Sequence, residues 1–202
     1  QIRDALVREL KDGEVLAEWH LNTAEVLEER AGKRAAQMAG TLAHHYAEAN
    51  DDAKAVEWSL KAAEYALSTF AFDDAMTFAR RANRHLPNAG APPSVAATAD
   101  VLLGRSRFAA GNIGEARAFL EGALDRVDKE NAPDGYGELQ VWHARWCLVL
   151  GAHRAGQQAA ERALMVLADN DAPVAVGRVL IARGELVVDE EPEKARADAE
   201  RA

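Results

Sequence analysis

Three triplets of small or apolar residues share one internal spacing: Ala116-Leu120-Ala123, Gly156-Ala160-Ala163 and Ala195-Ala199-Ala202. Each steps by four and then three, the rhythm of one helix face. Their last members lie 40 and 39 residues apart. A helix pair of that length cannot bury its own apolar face, so successive pairs must stack. The spacing predicts an all-α fold, a solenoid of antiparallel helix pairs. The clearest unit is Leu103 to Ala123. Gly104 lets its second helix approach the first, Gly111 ends the first, and Asn112 with Glu115 has the spacing of a capping box.

Composition agrees. The chain has 202 residues, 49% apolar, and only six prolines. The longest β-branched run, Val187-Val188, is too short for a strand. The formal charge of −9 argues against nucleic-acid binding, which normally needs a basic field. The single cysteine, Cys147, excludes an internal disulfide and a cysteine-based zinc site, and reads as a small buried residue. No apolar run reaches the roughly 20 residues of a membrane span. No signal peptide opens the chain, so the expected location is the cytoplasm. The start at Gln1 without Met and the stop at Ala202 within a helical pattern lead us to expect a piece of a longer protein.

Lead-in helices are expected over 1–33, a short one at 2–10 broken by Asp12-Gly13 and a longer one from Glu14 to Ala31. In the longer helix Val15, Leu16, Trp19, Val26 and Leu27 are expected to pack and the glutamates to face water. Repeats then fill 34–202, at approximately 34–70, 53–87, 94–130, 137–169 and 174–202. Turns are expected at Asn50-Asp51-Asp52, Asn88 to Pro93, Asn131 to Gly137, and Asn170 to Pro173. Asp73-Asp74 and Ser94 are expected to cap the helices that follow them.

These residues carry a resemblance. Leu103-Gly104, the turn at Gly111, Ala116, Leu120 and Ala123 resemble the tetratricopeptide (TPR) pattern, as do Leu42-Ala43, Tyr46, Ala55, Ala62, Ala75, Ala82 and Pro87. The TPR unit is 34 residues, so this is a TPR-like array with lengthened units. Leu42 to Pro87 further resembles the segment that follows the ATPase core in STAND-class bacterial regulators, including MalT-like and LuxR-type activators. The resemblance implies a module that senses an effector or partner and controls an ATPase elsewhere in the regulator. The chain itself contains no GxxxxGK[ST] phosphate loop.

Chemistry-bearing residues are sparse. His44-His45 is the one tempting metal pair, with His20, Glu48 or His85 as further ligands. Adjacent helical residues diverge by about 100°, and helical ligands prefer i, i+4 spacing, so no metal and no cofactor are expected. No serine, threonine or cysteine sits in a nucleophile motif. Glu28-Glu29 and Glu190-Glu191 read as solvated helix ends, so the chain is not expected to be an enzyme. Trp142 and Trp146, at i, i+4, form one aromatic ridge expected in the core between repeats.

Aligning the first helix of each pair on Gly104, Ala43 and Ala144 brings out a candidate groove. The next position holds His44, Arg105 and Arg145. Val101, Phe108, Val141 and Leu148 form an apolar strip beside them. Such a surface suits an acidic or carboxylate-bearing peptide, because arginine offers carboxylates a bidentate donor pair. The plainer reading pairs both arginines with glutamates of adjacent helices. The expected function is therefore non-catalytic: a protein-interaction or effector-sensing module of a larger regulator. It binds a protein or peptide, or a small effector, with no direct nucleic-acid or membrane contact, and tends to self-associate through its open end. The alternatives are an assembly scaffold without a regulatory ligand and, more remotely, a helical metal-dependent enzyme using His44.

Overall fold

Among the described residues, four helix ends close with one and the same turn. Asn50, Phe70, Gly111 and Gly151 take φ of 60°, 62°, 80° and 68°, the left-handed region. At Gly111 its own N–H donates to the Phe108 carbonyl at 2.9 Å, and the Asn112 N–H donates to the Arg107 carbonyl at 2.8 Å. The same two bonds recur at Asn50, Phe70 and Gly151. This pairing satisfies the last carbonyls of a helix and turns the chain sharply. Each turn is followed within two residues by a new helix, so the joined helices are antiparallel neighbours.

The computed structural model describes residues 14–127, 133–167 and 173–202. The expected helix at 2–10, residues 131–132 and residues 170–172 lie outside the described residues, while 133–137, expected as a turn, are helical because Pro133 opens a helix there. The described residues contain no strand. They contain no helix long and apolar enough to cross a membrane. The chain divides into two compact units, 1–91 and 92–202.

The first unit holds α1 (Glu14–Ala31), a short 3-10 turn (Gly32–Arg34), α2 (Ala35–Glu48), α3 (Asp52–Ser68) and α4 (Phe72–His85). Each helix packs on the next. The core is Ala24, Ala39, Leu42, Ala43, Tyr46, Ala55, Trp58 and Ala62, with Leu21, Leu27, Met38 and Phe78 against it. Helix α1 corrects one expectation. Val15, Trp19 and Val26 are exposed; Leu27 packs as expected, half-buried with Leu21, and Ala24 and Ala31 are the buried members of the stripe. That narrower, alanine-based stripe keeps three-to-four spacing and lets α1 lie close on α2.

The second unit holds α5 (Pro93–Ala109), α6 (Ile113–Arg126), α7 (Pro133–Val149), α8 (His153–Leu167), α9 (Pro173–Val187) and α10 (Pro192–Arg201). Helices pair as α5 with α6, α7 with α8 and α9 with α10, and the first helix of each pair packs on the next pair's first helix. Ala116, Leu120 and Ala123 are buried, as are Gly156, Ala160 and Ala163. At Gly156 a Cβ would stand 2.7 Å from Leu186 Cδ2 and 2.9 Å from Cys147 Cβ, so glycine is needed there. At Gly104 the nearest atom would be 3.5 Å away, so the approach expected to need glycine there is ordinary contact.

The third triplet departs from expectation. Ala195 is half-buried and Ala199 and Ala202 are exposed, while the inward position goes to Asp198, 2% exposed. Its carboxylate accepts from Arg183 Nε at 2.8 Å and Nη2 at 2.5 Å, a bidentate pair that redirects the face of α10. Capping departs as well. The Asn112 side chain makes no cap bond, and Glu115 turns to Arg107 at 2.9 Å. Ser94 falls inside a helix that Pro93 begins, and Asp73-Asp74 lie in the first turn of α4 without capping it, where their charge suits the helix dipole. Asp51 does cap α3, accepting from the Lys54 N–H at 3.0 Å.

Candidate functional site

In the second unit, α5 and α7 lie side by side, with Gly104 and Ala144 buried between the elements they join. One residue further along each helix the chain turns outward. That brings Arg105 and Arg145 to half-exposed positions on two successive first helices. Between them stands Trp142. The Arg105 guanidinium carbon lies 4.4 Å from the centre of a Trp142 ring, and that of Arg145 lies 5.5 Å from it. Arg145 and Trp142 are i, i+3 neighbours on α7, whereas Arg105 reaches across from α5. Arg145 Nε also stands 3.8 Å from Glu185 Oε2 on α9, where both side chains are well exposed.

Stacking on an indole engages the face of a guanidinium, and carboxylate recognition uses its N–H edge. The two interactions are geometrically compatible. A row of Arg105, Trp142 and Arg145 is thus a cationic surface with one aromatic plate in it, on a chain whose net charge is strongly negative.

The apolar residues expected beside this row sort differently. Val101 and Val141 are each 3% exposed and belong to the core, so neither presents its side chain to a partner. Phe108 is half-buried, packing edge-on to Trp146 with ring centres 5.1 Å apart. Leu148 is half-buried against the cluster formed by Val141, Ala144, Ala159 and Leu186. The expected ridge of Trp142 and Trp146 is divided. Trp146 is buried at 7%, while Trp142 stays half-exposed. The participation of Trp142 went unread in the sequence, although its i, i+3 relation to Arg145 was there to see.

His44 lies in the first unit, exposed on α2. Its Nδ1 is 4.0 Å from Glu48 Oε1, and its ring neighbours are His20 and His45.

A small recess of about 150 Å³ lies elsewhere in the second unit, lined by residues including Arg117, Glu121, His143, Trp146 and Cys147. Burial pushes the Cys147 thiol up and the His143 imidazole down. A thiol held protonated is a poor nucleophile, so the recess supplies no activated group. Among the described residues, no group of three or more histidine, cysteine, aspartate or glutamate side chains is placed to hold a metal ion.

Neither protein-family models nor curated proteins match this chain.

Proposed function

We propose that this chain is a non-catalytic helical repeat module that holds an acidic or carboxylate-bearing segment of a partner protein against Arg105, Trp142 and Arg145. The observation that carries the reading is the row itself: two arginines from successive first helices, stacked on one tryptophan. The contact of Arg145 with Glu185, at 3.8 Å and well exposed, is a weak one that a ligand carboxylate displaces at little cost.

The finer fold reading is a TPR-like superhelical array, supported by the recurring turns at Gly111 and Gly151, forty residues apart, and by the pairing of helices in the second unit. On the sequence resemblance, the module is the sensing or partner-docking part of a STAND-class bacterial regulator, acting in the cytoplasm. The binding chemistry does not depend on that assignment.

The test uses a panel of synthetic peptides, glutamate-rich, lysine-rich and uncharged, measured by calorimetry against the native chain and an Arg105→Ala/Arg145→Ala variant. The reading predicts binding of the acidic peptides alone, weakened at least about tenfold in the variant while helicity is kept. Equal binding by native and variant chains contradicts it.

A further inference from the structure

Helix α1 buries Ala24 and Ala31 on one side. The opposite side carries Val15, Trp19 and Val26, which are 59%, 56% and 44% exposed. At about 100° per residue, these three fall within an arc of about 40° and extend over about 16 Å, three helical turns. Single exposed hydrophobes are ordinary on a protein surface, whereas a contiguous row of large ones marks a contact surface. Trp19 is steadied in its exposed place by neighbouring rings. It meets His20 edge-on with centres 5.0 Å apart, and its ring lies 5.9 Å from that of His45 on α2. A large side chain already held in position loses little freedom when a partner covers it, and tryptophan is a favoured interface anchor.

Charge decides what covers the face. Glu18, Glu25 and Glu29 are exposed and fall in the adjoining arc, again about 40° wide, along one flank of the apolar row. Asn22 lies between the two rows, and Arg30 stands on the other flank at the C-terminal end. The acidic flank opposes anionic lipid and nucleic acid. A second copy of the same face brings three more glutamates into the contact, on a chain whose net charge is already −9.

We propose that this face of α1 docks an amphipathic helix of a partner protein, one with an apolar row about three turns long flanked by lysines or arginines. The apolar side chains of such a helix recur at i, i+3 or i+4, and i+7, the register that lies along Val15, Trp19 and Val26. Its basic flank meets Glu18, Glu25 and Glu29. The site lies in the first unit and uses none of the residues proposed to hold an acidic segment. A lysine-rich peptide without the apolar row offers only exposed, screened ion pairs and is not held there.

The experiment measures fluorescence anisotropy of a labelled helical peptide of about 18 residues, with leucines on one face and lysines on both flanks, against the full chain. The peptide is expected to bind saturably, and a version with serine in place of each leucine is expected not to bind. Binding weakens at least about tenfold in Trp19→Ala and in Glu18→Lys/Glu25→Lys/Glu29→Lys, with helicity kept. It changes less than about threefold in Glu161→Lys/Glu190→Lys/Glu193→Lys, the same change of net charge on exposed positions of the second unit. Hydrogen exchange of the native chain, which needs no variant to fold, shows slowing over 14–31 when the peptide is bound. Undiminished binding by a folded Trp19→Ala or charge-reversed chain, or slowing elsewhere with 14–31 unchanged, overturns the proposal. So does a native dimer in sedimentation that Trp19→Ala disperses, which assigns the face to a second copy. Peptide binding that appears only after removal of residues 1–12 overturns it too, since the chain's own segment then covers the face.

Discussion

Arg105 on α5 and Trp142 on α7 stack with 4.4 Å between guanidinium carbon and ring centre, tying together helices that are one repeat apart. Arg145 approaches the same residue from its own helix. The contact is at once part of the packing of two repeats and the exposed centre of the proposed docking row, so the two roles must be separated by measurement.

A double-mutant cycle does this for stability. Each cation–π contact at a partly exposed site contributes about 0.5–1 kcal/mol. Arg105→Ala is expected to destabilise the chain by about that amount in urea unfolding, and Trp142→Leu by more, because Trp142 also packs on the core around Val101 and Leu139. The pair of changes should show a coupling of about 0.5–1 kcal/mol. Strict additivity would mean the stack contributes nothing to the fold.

Two glycines test the packing of the second unit in opposite directions. Gly156→Ala drives a methyl to 2.7 Å from Leu186 and 2.9 Å from Cys147, both buried. The expected cost is about 1–3 kcal/mol from overpacking, larger than the gain of about 1 kcal/mol in helix propensity. Gly104→Ala meets its nearest neighbour at 3.5 Å, ordinary contact, and is expected to be neutral or stabilising. The thermal midpoint should fall in Gly156→Ala and hold level or rise in Gly104→Ala.

Asp198 is 2% exposed, and Arg183 donates to both of its carboxylate oxygens. Removing it strands a largely buried guanidinium. Asp198→Ala should cost about 3–5 kcal/mol, and Arg183→Met with Asp198→Leu should recover most of this, as apolar replacement of both partners usually does. Chemical denaturation of the three chains checks the order.

Glu28 joins α1 to α2 and α3. It accepts from the Tyr46 hydroxyl and from Lys54 Nζ at 2.9 Å. Burial raises its affinity for a proton, but the bonds from Tyr46 and Lys54 outweigh this and leave it below the ordinary carboxylate range. A carboxylate whose affinity for protons is lower folded than unfolded gives stability that is present above the unfolded value, near 4.5, and lost as pH falls through the folded one. The urea midpoint of the native chain should thus fall on acidification below pH 4.5, and Glu28→Gln should start lower at pH 7 and fall less.

The boundaries at Asn50, Gly111 and Gly151 were legible in the sequence because turn residues and apolar periodicity agree there. Gly111 and Gly151 announce their turns. Phe70 adopts the same left-handed turn without any residue type to announce it and is 79% exposed, so the close between α3 and α4 was read from Asp73-Asp74 beyond it. Side-chain partners were less legible. The capping pair Asn112 and Glu115 has the right spacing, yet Arg107 on the preceding helix attracts Glu115 instead. Asp198 sits inward in place of Ala199 because Arg183, fifteen residues earlier, requires an anion. The candidate row was half legible. Positions 105 and 145 follow from the repeat, but Val101 and Val141 are core residues, and Trp142 joins the arginines only once α5 and α7 lie side by side. The three histidines came together by the same route, through packing of α1 on α2 that no local pattern records.

The central claim is that an acidic partner segment is held on the exposed faces of α5 and α7. Hydrogen–deuterium exchange of the full chain, with and without a saturating glutamate-rich peptide, tests it most directly. The account predicts added protection confined to the peptides covering Val101 to Ala109 and Val141 to Val149. Protection spread elsewhere with these two segments unchanged would contradict it.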